Sequence, residues 1–78
     1  MKWKVFGRTE CKDCKEVLDA CVAYNLDYTF FDLNLSENRD MLLELMPSAK
    51  DIPKIFLNDE LIGGFLEFRH YMWYGEKK

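Results

Sequence analysis

The first half of the chain switches between two spacings of apolar side chains. The run KWKVF, residues 2–6, mixes aromatic and β-branched side chains and is followed by Gly7, which is typical of a strand that ends in a turn. From Cys14 onward, four apolar or small side chains follow the spacing i, i+3, i+4 and i+7 of one helix face. The pattern therefore predicts a strand and then a helix that begins near Cys11 and stops at Asn25.

A second strand and a second helix follow. The run YTFFDL, residues 28–33, is rich in aromatic side chains and is predicted to be a buried strand. Ser36 is then a candidate N-cap, and Glu37 and Asp40 fall in the first turn, where the helix dipole favours acidic side chains. We expect this helix to end near Met46, just before a proline.

The last part of the chain has the pattern of a hairpin and a helix. The short runs KIFL and ELIG are separated by Asn58 and Asp59, which tolerate the left-handed backbone of a two-residue turn. Gly63 and Gly64 end the hairpin, and apolar side chains then recur at helical spacing up to a predicted stop at Gly75. The order β-α-β-α-β-β-α predicts an α/β fold, a four-stranded mixed sheet flanked by three helices.

Length and composition support a single domain over residues 1–78. Hydrophobic residues make up 49% of the chain and aromatic residues 15%, enough for a core that needs no disulfide framework. The three cysteines lie within eleven positions, whereas a disulfide-built secreted domain spreads an even number along its chain. The cysteines are therefore candidates for chemistry.

Charge and hydropathy exclude other classes. The net charge is −3 and the basic residues are scattered, so we expect no nucleic-acid partner. No apolar run approaches the roughly 18 residues of a membrane span, and the N-terminal residues lack the apolar segment of a signal peptide. We therefore expect a cytoplasmic protein. In that reducing compartment a Cys-x-x-Cys pair is more often catalytic or metal-binding than structural.

The segment CKDC carries the candidate chemistry. Cys11 lies where the first helix begins, so free N–H groups and the helix dipole favour its thiolate. Cys14 lies one turn on, on the apolar face, and is predicted to be more buried and to have the higher pKa. This division predicts that Cys11 attacks a substrate disulfide and that Cys14 resolves the mixed disulfide. Arg8 and Lys12 add positive charge near the nucleophile, and Asp13 opposes them.

Two other uses of the cysteines compete with this interpretation. A metal site could combine them with His70, but their spacing does not match the two pairs of a zinc site, so we predict no metal. A structural disulfide between Cys11 and Cys14 would close too short a loop to constrain the unfolded chain much. Cys21 follows Cys14 by two helical turns, about 10 Å, and is predicted to be a buried core thiol.

Two longer segments resemble glutaredoxins. FGRTECKDC is similar to the active-site segment of that family, with a basic residue three positions before the first cysteine. DIPKIFLNDELIGGFLEF is similar to its later signatures, a proline, a hairpin and a Gly-Gly pair. The resemblance implies a thioredoxin fold and a dithiol thiol–disulfide oxidoreductase that reduces protein or glutathione mixed disulfides. It also implies a monomer with glutathione as reductant and no tightly bound cofactor.

The resemblance further assigns a substrate-binding site. It implies that the Ile52–Pro53 bond is cis and faces Cys11, and that the Ile52 backbone pairs with an extended thiol peptide. Gly64 and the residues after it would hold a glutathione carboxylate with helix N-terminal amides. The implied substrate-binding residues are Arg8, Lys12, Asp13, Ile52, Pro53, Gly64, Phe65 and Leu66.

Two departures from the family pattern keep alternatives open. Lys12 and Asp13 replace the usual Pro-Tyr between the cysteines, and Leu66 stands where Ser, Thr or Asp often binds glutathione. One alternative is a thioredoxin-like electron donor to ribonucleotide reductase that is itself reduced by a flavoprotein reductase. Another is a module that holds an iron–sulfur cluster with glutathione and Cys11, against which the second cysteine argues.

Overall fold

The part of the chain that the structure describes holds four strands and three helices in the predicted order. The computed structural model describes residues 1–74, so the predicted helix stop at Gly75 lies outside the described residues. The elements are β1 (Trp3–Gly7), α1 (Lys12–Ala23), β2 (Tyr28–Asp32), α2 (Ser36–Leu45), β3 (Lys54–Leu57), β4 (Glu60–Gly63) and α3 (Phe65–Tyr74). None of these helices is long and apolar enough to cross a membrane.

β1 lies inside the sheet, between a parallel and an antiparallel neighbour. The strand order is β2-β1-β3-β4. Val5 of β1 is opposite Phe30 of the parallel strand β2 and opposite Ile55 of the antiparallel strand β3. β3 and β4 form the antiparallel hairpin. The mixed sheet predicted from the element order is confirmed, and the end of β1 leads into the Cys-x-x-Cys segment.

Side chains that alternate along the central strands build a core on each face of the sheet. Val5 and Ile55 face α1 and α3, in a cluster formed by Trp3, Val5, Val17, Cys21, Ile55, Leu57 and Phe68. Phe6 and Phe56 face the other way and belong to a cluster with Leu42 of α2. Two helices therefore cover one face of the sheet, and α2 packs on the other.

Three predicted turn residues adopt the left-handed backbone. Asn25 has φ 57 just after the end of α1, where such a residue closes a helix. Asn58 and Asp59 have φ 51 and 69 between β3 and β4, as a two-residue hairpin turn requires. The Asn58 Oδ1 also accepts the N–H of Lys2 at 2.8 Å, which ties the turn to the residue before β1.

The start of α2 differs from the prediction. Ser36 is the first helical residue and not the N-cap, and Asp40 lies beyond the first turn. Leu35 occupies the cap position and makes no side-chain cap hydrogen bond. The turn is held instead by Arg39, whose Nη1 donates to the Leu33 carbonyl at 2.9 Å. A longer side chain reaches back from inside the helix, so the helix begins without a capping hydroxyl.

Candidate active site

Cys11 is the N-cap of α1 and follows the turn after β1. Its backbone is extended, with φ −84 and ψ 123, and its side chain is partly exposed. The N–H of Cys14 donates to the Cys11 Sγ at 3.2 Å. The sulfur therefore lies at the exposed end of the helix, within reach of a substrate, so the position suits a nucleophile.

Cys14 lies directly behind Cys11 and is fully buried. Burial, together with the hydrogen bond to Cys11, raises the pKa of the Cys14 thiol from 9.0 to about 12, so it is protonated at neutral pH. Gly7 makes room for this thiol, because a Cβ at residue 7 would overlap the Cys14 Sγ. The sequence pattern identified Gly7 only as a turn residue, and no spacing rule would reveal the contact.

The remaining thiol and the histidine lie away from this pair. Cys21 is buried in the cluster between the sheet and α1, so the prediction of a core thiol is confirmed. Burial raises its pKa to about 11. His70 lies on α3 with its ring 4.7 Å from that of Tyr74. Across residues 1–74, no three His, Cys, Asp or Glu side chains are grouped closely enough to hold a metal ion.

A groove of about 470 Å³ lies beside the first turn of α1. The lining residues come from three parts of the chain: Asp13, Asp51, Ile52, Pro53, Lys54, Gly64, Phe65, Leu66 and Glu67. Six of the eight expected substrate-binding residues therefore meet at one surface. The Ile52–Pro53 bond is cis, as the resemblance implies. Lys12 is exposed at the first position of α1 and does not line the groove.

Arg8 lies in a neighbouring cavity of about 200 Å³. Arg39 and Lys50 line this smaller cavity with it, together with apolar side chains beneath α2. Asp51 and Ile52 line both cavities and so lie between them. The structure thus groups Arg8 with two cations that sequence reasoning missed. It does not bring Arg8 to the α3 residues expected to bind the same ligand.

Glu67 lines the groove, and it only partly matches the aspartate that often stands at this position after the Gly-Gly pair in the family that the sequence resembles. Its Oε1 accepts the N–H of Gly64 at 2.9 Å, and the Phe68 N–H donates to the Gly64 carbonyl at 2.9 Å, so Gly64 is the N-cap of α3. An acid three residues after an N-cap is one half of a capping box, a signal that the sequence does contain. Hydrogen bonds from the backbone N–H groups of Glu67 and Gly64 lower the pKa of the Glu67 carboxyl.

Family comparison agrees with this arrangement. A protein-family model described as Glutaredoxin matches residues 4–62, which is more than half of the chain. The chain belongs to the glutaredoxin family. Membership of the glutaredoxin family supports a thiol–disulfide oxidoreductase function. Comparison with curated protein sequences gave no match.

Solved glutaredoxins share the fold. Glutaredoxin 1 from Francisella tularensis, solved with cacodylate, is 26% identical with a TM-score of 0.68, and the match covers 91% of each chain. A dithiolic glutaredoxin from Trypanosoma brucei brucei is 23% identical with a TM-score of 0.81, covering 95% of this chain and 79% of that one. A buckwheat glutaredoxin–glutathione complex is 22% identical with a TM-score of 0.79, covering 95% and 70%. The predicted thioredoxin-like fold is confirmed.

Proposed function

We propose that the protein is a dithiol disulfide reductase in which Cys11 is the nucleophile and Cys14 the resolving thiol. The observation that carries this assignment is the pairing of a partly exposed sulfur with a buried one. Cys11 accepts the Cys14 N–H at the helix N-terminus, whereas Cys14 is fully buried and protonated. Cys11 can therefore reach a substrate disulfide, and Cys14 lies behind it, where it can attack the Cys11 sulfur in the second step.

The reaction proceeds in two exchanges. The Cys11 thiolate attacks one sulfur of the substrate disulfide, and the other sulfur leaves as a thiolate that takes up a proton. Cys14 then loses its proton and attacks the Cys11 sulfur, which forms the Cys11–Cys14 disulfide and releases the second substrate thiol. Cys11 contributes to the raised pKa of Cys14, so loss of the Cys11 charge in the mixed disulfide eases deprotonation of Cys14 when it is needed.

We further propose glutathione as the reductant of the Cys11–Cys14 disulfide. One glutathione thiolate attacks Cys11 Sγ and frees Cys14, and a second attacks the mixed disulfide and leaves as oxidised glutathione. The groove supports this proposal because it joins Ile52 and Pro53 to the N-terminus of α3, where amides favour a carboxylate. A buckwheat relative was solved as a glutathione complex. The reducing cytoplasm would keep the pair as a dithiol.

The role of each cysteine can be tested by substitution. Cys11→Ser should abolish reduction of every disulfide substrate, because no attacking sulfur remains. Cys14→Ser should lose reduction of protein disulfides but keep reduction of a glutathione mixed disulfide, since that route needs one protein thiol. Insulin reduction and glutathione-coupled reduction of a glutathionylated peptide are the two assays. Cys21→Ala is the control and should retain both activities.

The assignment would be wrong if Cys11→Ser kept either activity. Rapid alkylation of the reduced wild-type protein, followed by peptide mass mapping, provides an independent measurement. Cys11 should be labelled first, because its side chain is partly exposed whereas Cys14 is buried. Preferential labelling of Cys14 would reverse the two roles.

A further inference from the structure

The strand that leads into the active site ends in close contact with the resolving thiol. A Cβ on Gly7 would overlap the Cys14 Sγ and would lie 3.0 Å from the Cys14 Cβ. It would also lie 3.6 Å from the Phe30 Cε1 on the neighbouring strand β2. Gly7 is itself fixed in the sheet, because it is opposite Asp32 in the β1–β2 ladder and its carbonyl accepts the Leu33 N–H at 2.7 Å. A side chain at residue 7 would therefore displace the Cys14 thiol.

The backbone amide that follows Gly7 also contacts this sulfur. Cys14 is fully buried, and burial raises the pKa of its thiol. A hydrogen bond from the Arg8 backbone acts in the opposite direction, because it stabilises the thiolate. The backbone of Gly7 and Arg8 thus forms a thiol cradle, in which Gly7 leaves room for the Cys14 sulfur and Arg8 supplies a donor to it.

Both directions of the proposed cycle place negative charge on this buried sulfur. When Cys14 attacks the Cys11 sulfur, the Cys11–Cys14 bond forms and the bond to the substrate breaks. The substrate sulfur leaves with the electron pair and takes up the proton that Cys14 has lost. When a reducing thiolate later attacks Cys11, the Cys11–Cys14 bond breaks and Cys14 leaves as a thiolate. A thiolate in an apolar site is costly unless a donor faces it.

We propose that Gly7 is a positioning residue for the second exchange, because it lets the Cys14 sulfur lie against the backbone where the Arg8 amide stabilises its thiolate. This inference rests on the proposed disulfide reductase function. Gly7→Ala displaces the sulfur from the thiol cradle and so slows the step in which Cys14 attacks Cys11. The first exchange, in which Cys11 attacks the substrate, places no charge on Cys14 and does not use the cradle.

The two exchanges can be timed separately with dithiobis(nitrobenzoate), a symmetrical disulfide that releases a coloured thiolate. In stopped-flow measurements the first thiolate is released when Cys11 attacks, at a rate proportional to the reagent concentration. The second is released when Cys14 resolves the mixed disulfide, at a rate independent of that concentration. Gly7→Ala should slow the second release by about ten- to a hundredfold and change the first by less than about twofold. All variants carry Cys21→Ala, so that the two active-site thiols alone react.

The melting temperature tests the contact itself. Gly7→Ala should lower the melting temperature of the reduced protein by roughly 5–15 °C, because the new methyl group overpacks the site. Cys14→Ala removes the overlapping sulfur, so in that background the same substitution should lower the melting temperature by less than about half as much. Equal losses in both backgrounds would overturn the inference.

A second pair of variants removes the amide without adding a side chain at residue 7. Arg8→Pro lacks the backbone N–H and Arg8→Ala keeps it, and both lose the Arg8 side chain. The second release should be about tenfold slower in Arg8→Pro than in Arg8→Ala, since a hydrogen bond to a charged group is lost. This comparison decides the inference if Gly7→Ala does not fold, and equal second rates in the pair would overturn it.

The stopped-flow outcomes distinguish this inference from the function on which it rests. If the parent protein, with only Cys21→Ala, gives the first release but not the second, the proposed dithiol function fails first. If it gives both, and Gly7→Ala slows both equally or neither, the inference is overturned and the reductase function stands. Selective slowing of the second release supports the inference, because general damage to the fold would slow the attack by Cys11 as well.

Discussion

The two cysteines of the first helical turn differ most in their access to water. The Cys11 side chain is partly exposed and receives an amide hydrogen bond, whereas Cys14 is fully buried against the end of β1. Gly7 sets this depth, since any larger residue would overlap the Cys14 sulfur. The chemical difference between two identical side chains thus comes from one backbone contact and a helix end.

The buried thiols should make the protein less stable in alkali. The pKa of Cys14 is raised from 9.0 to about 12 and that of Cys21 to about 11, so above pH 9 the folded protein holds protons that the unfolded chain releases. The free energy of unfolding therefore has its full value below pH 9 and falls as the pH rises toward 11. We expect a loss on the order of 1–3 kcal/mol over that window.

Urea unfolding of the reduced protein between pH 8 and pH 11 measures this loss. Cys21→Ala removes one of the two titrating thiols, so its free energy of unfolding should fall less steeply with pH than that of the wild type. The comparison uses the slopes, because the substitution also lowers stability at every pH by removing packing. Equal slopes would show that ionisation of Cys21 is not the cause.

At the scale of elements, the hairpin turn shows how local chemistry fixes a register. Asn58 and Asp59 both have a positive φ, and the Asn58 side chain accepts the N–H of Lys2. Lys4 Nζ forms an ion pair with Asp59 at 2.6 Å, a second link between the turn and β1. The two turn residues therefore close the β3–β4 hairpin and also link it to β1, which is far away in sequence.

Substitution of Asn58 separates these two contributions. Asn58→Ala should lower the free energy of unfolding by about 1–2 kcal/mol, because alanine adopts a positive φ poorly and cannot accept the Lys2 N–H. Asn58→Gly loses only the hydrogen bond and should cost roughly half as much. Chemical denaturation of both variants measures the difference. Equal losses would mean that the backbone conformation contributes nothing.

Local signals explain why some elements were predicted better than others. Asn25, Asn58 and Asp59 each adopt a positive φ, which their residue types tolerate. The residue types alone therefore predict where these turns lie. Ser36 was predicted as a cap from its residue type alone. The turn after β2 is held by Arg39 instead, which reaches back six residues to Leu33. Such a bond depends on the path of the turn, and no pattern of neighbouring residues contains it.

At the scale of the whole molecule, the helices on the two faces of the sheet bury different numbers of side chains. α1 buries three residues in the core, whereas α2 buries only Leu42 and leaves Met41, Leu43 and Leu45 exposed. Burial of a large apolar side chain contributes roughly 1.5–3 kcal/mol. The face covered by α2 is therefore the weaker one.

Hydrogen exchange should reveal this inequality. Amides in α2 should open with a free energy about 2 kcal/mol or more below that of amides in the middle of α1, because fewer buried contacts hold α2 to the sheet. Native-state exchange followed by NMR gives both values. Leu42→Ala should lower the protection of α2 more than that of α1. Identical opening free energies in both helices would mean that the molecule opens as one unit.

The element order was enough to predict the sheet, but it could not predict the groove. Alternating strands and helices leave few ways to connect four strands, so the mixed sheet followed from the sequence pattern. The groove joins Asp13 to residues 51–54 and 64–67, and the placement of Arg8 in a different cavity depends on how those loops pack. The resemblance to a family predicted most of these residues as substrate-binding. Only the structure shows that they line two cavities and not one.

Burial of Cys21 also bears on what happens to the chain before it has folded. In the native structure Cys21 is enclosed by the core, and about 10 Å of helix separates it from Cys14. In an unfolded chain Cys21 is neither buried nor held at a fixed distance from the other thiols. An oxidant can therefore join it to either Cys11 or Cys14. A Cys14–Cys21 or Cys11–Cys21 bond is incompatible with α1 and would hold the chain in a misfolded form. All three cysteines must therefore stay reduced until the chain has folded if this misfolded form is to be avoided.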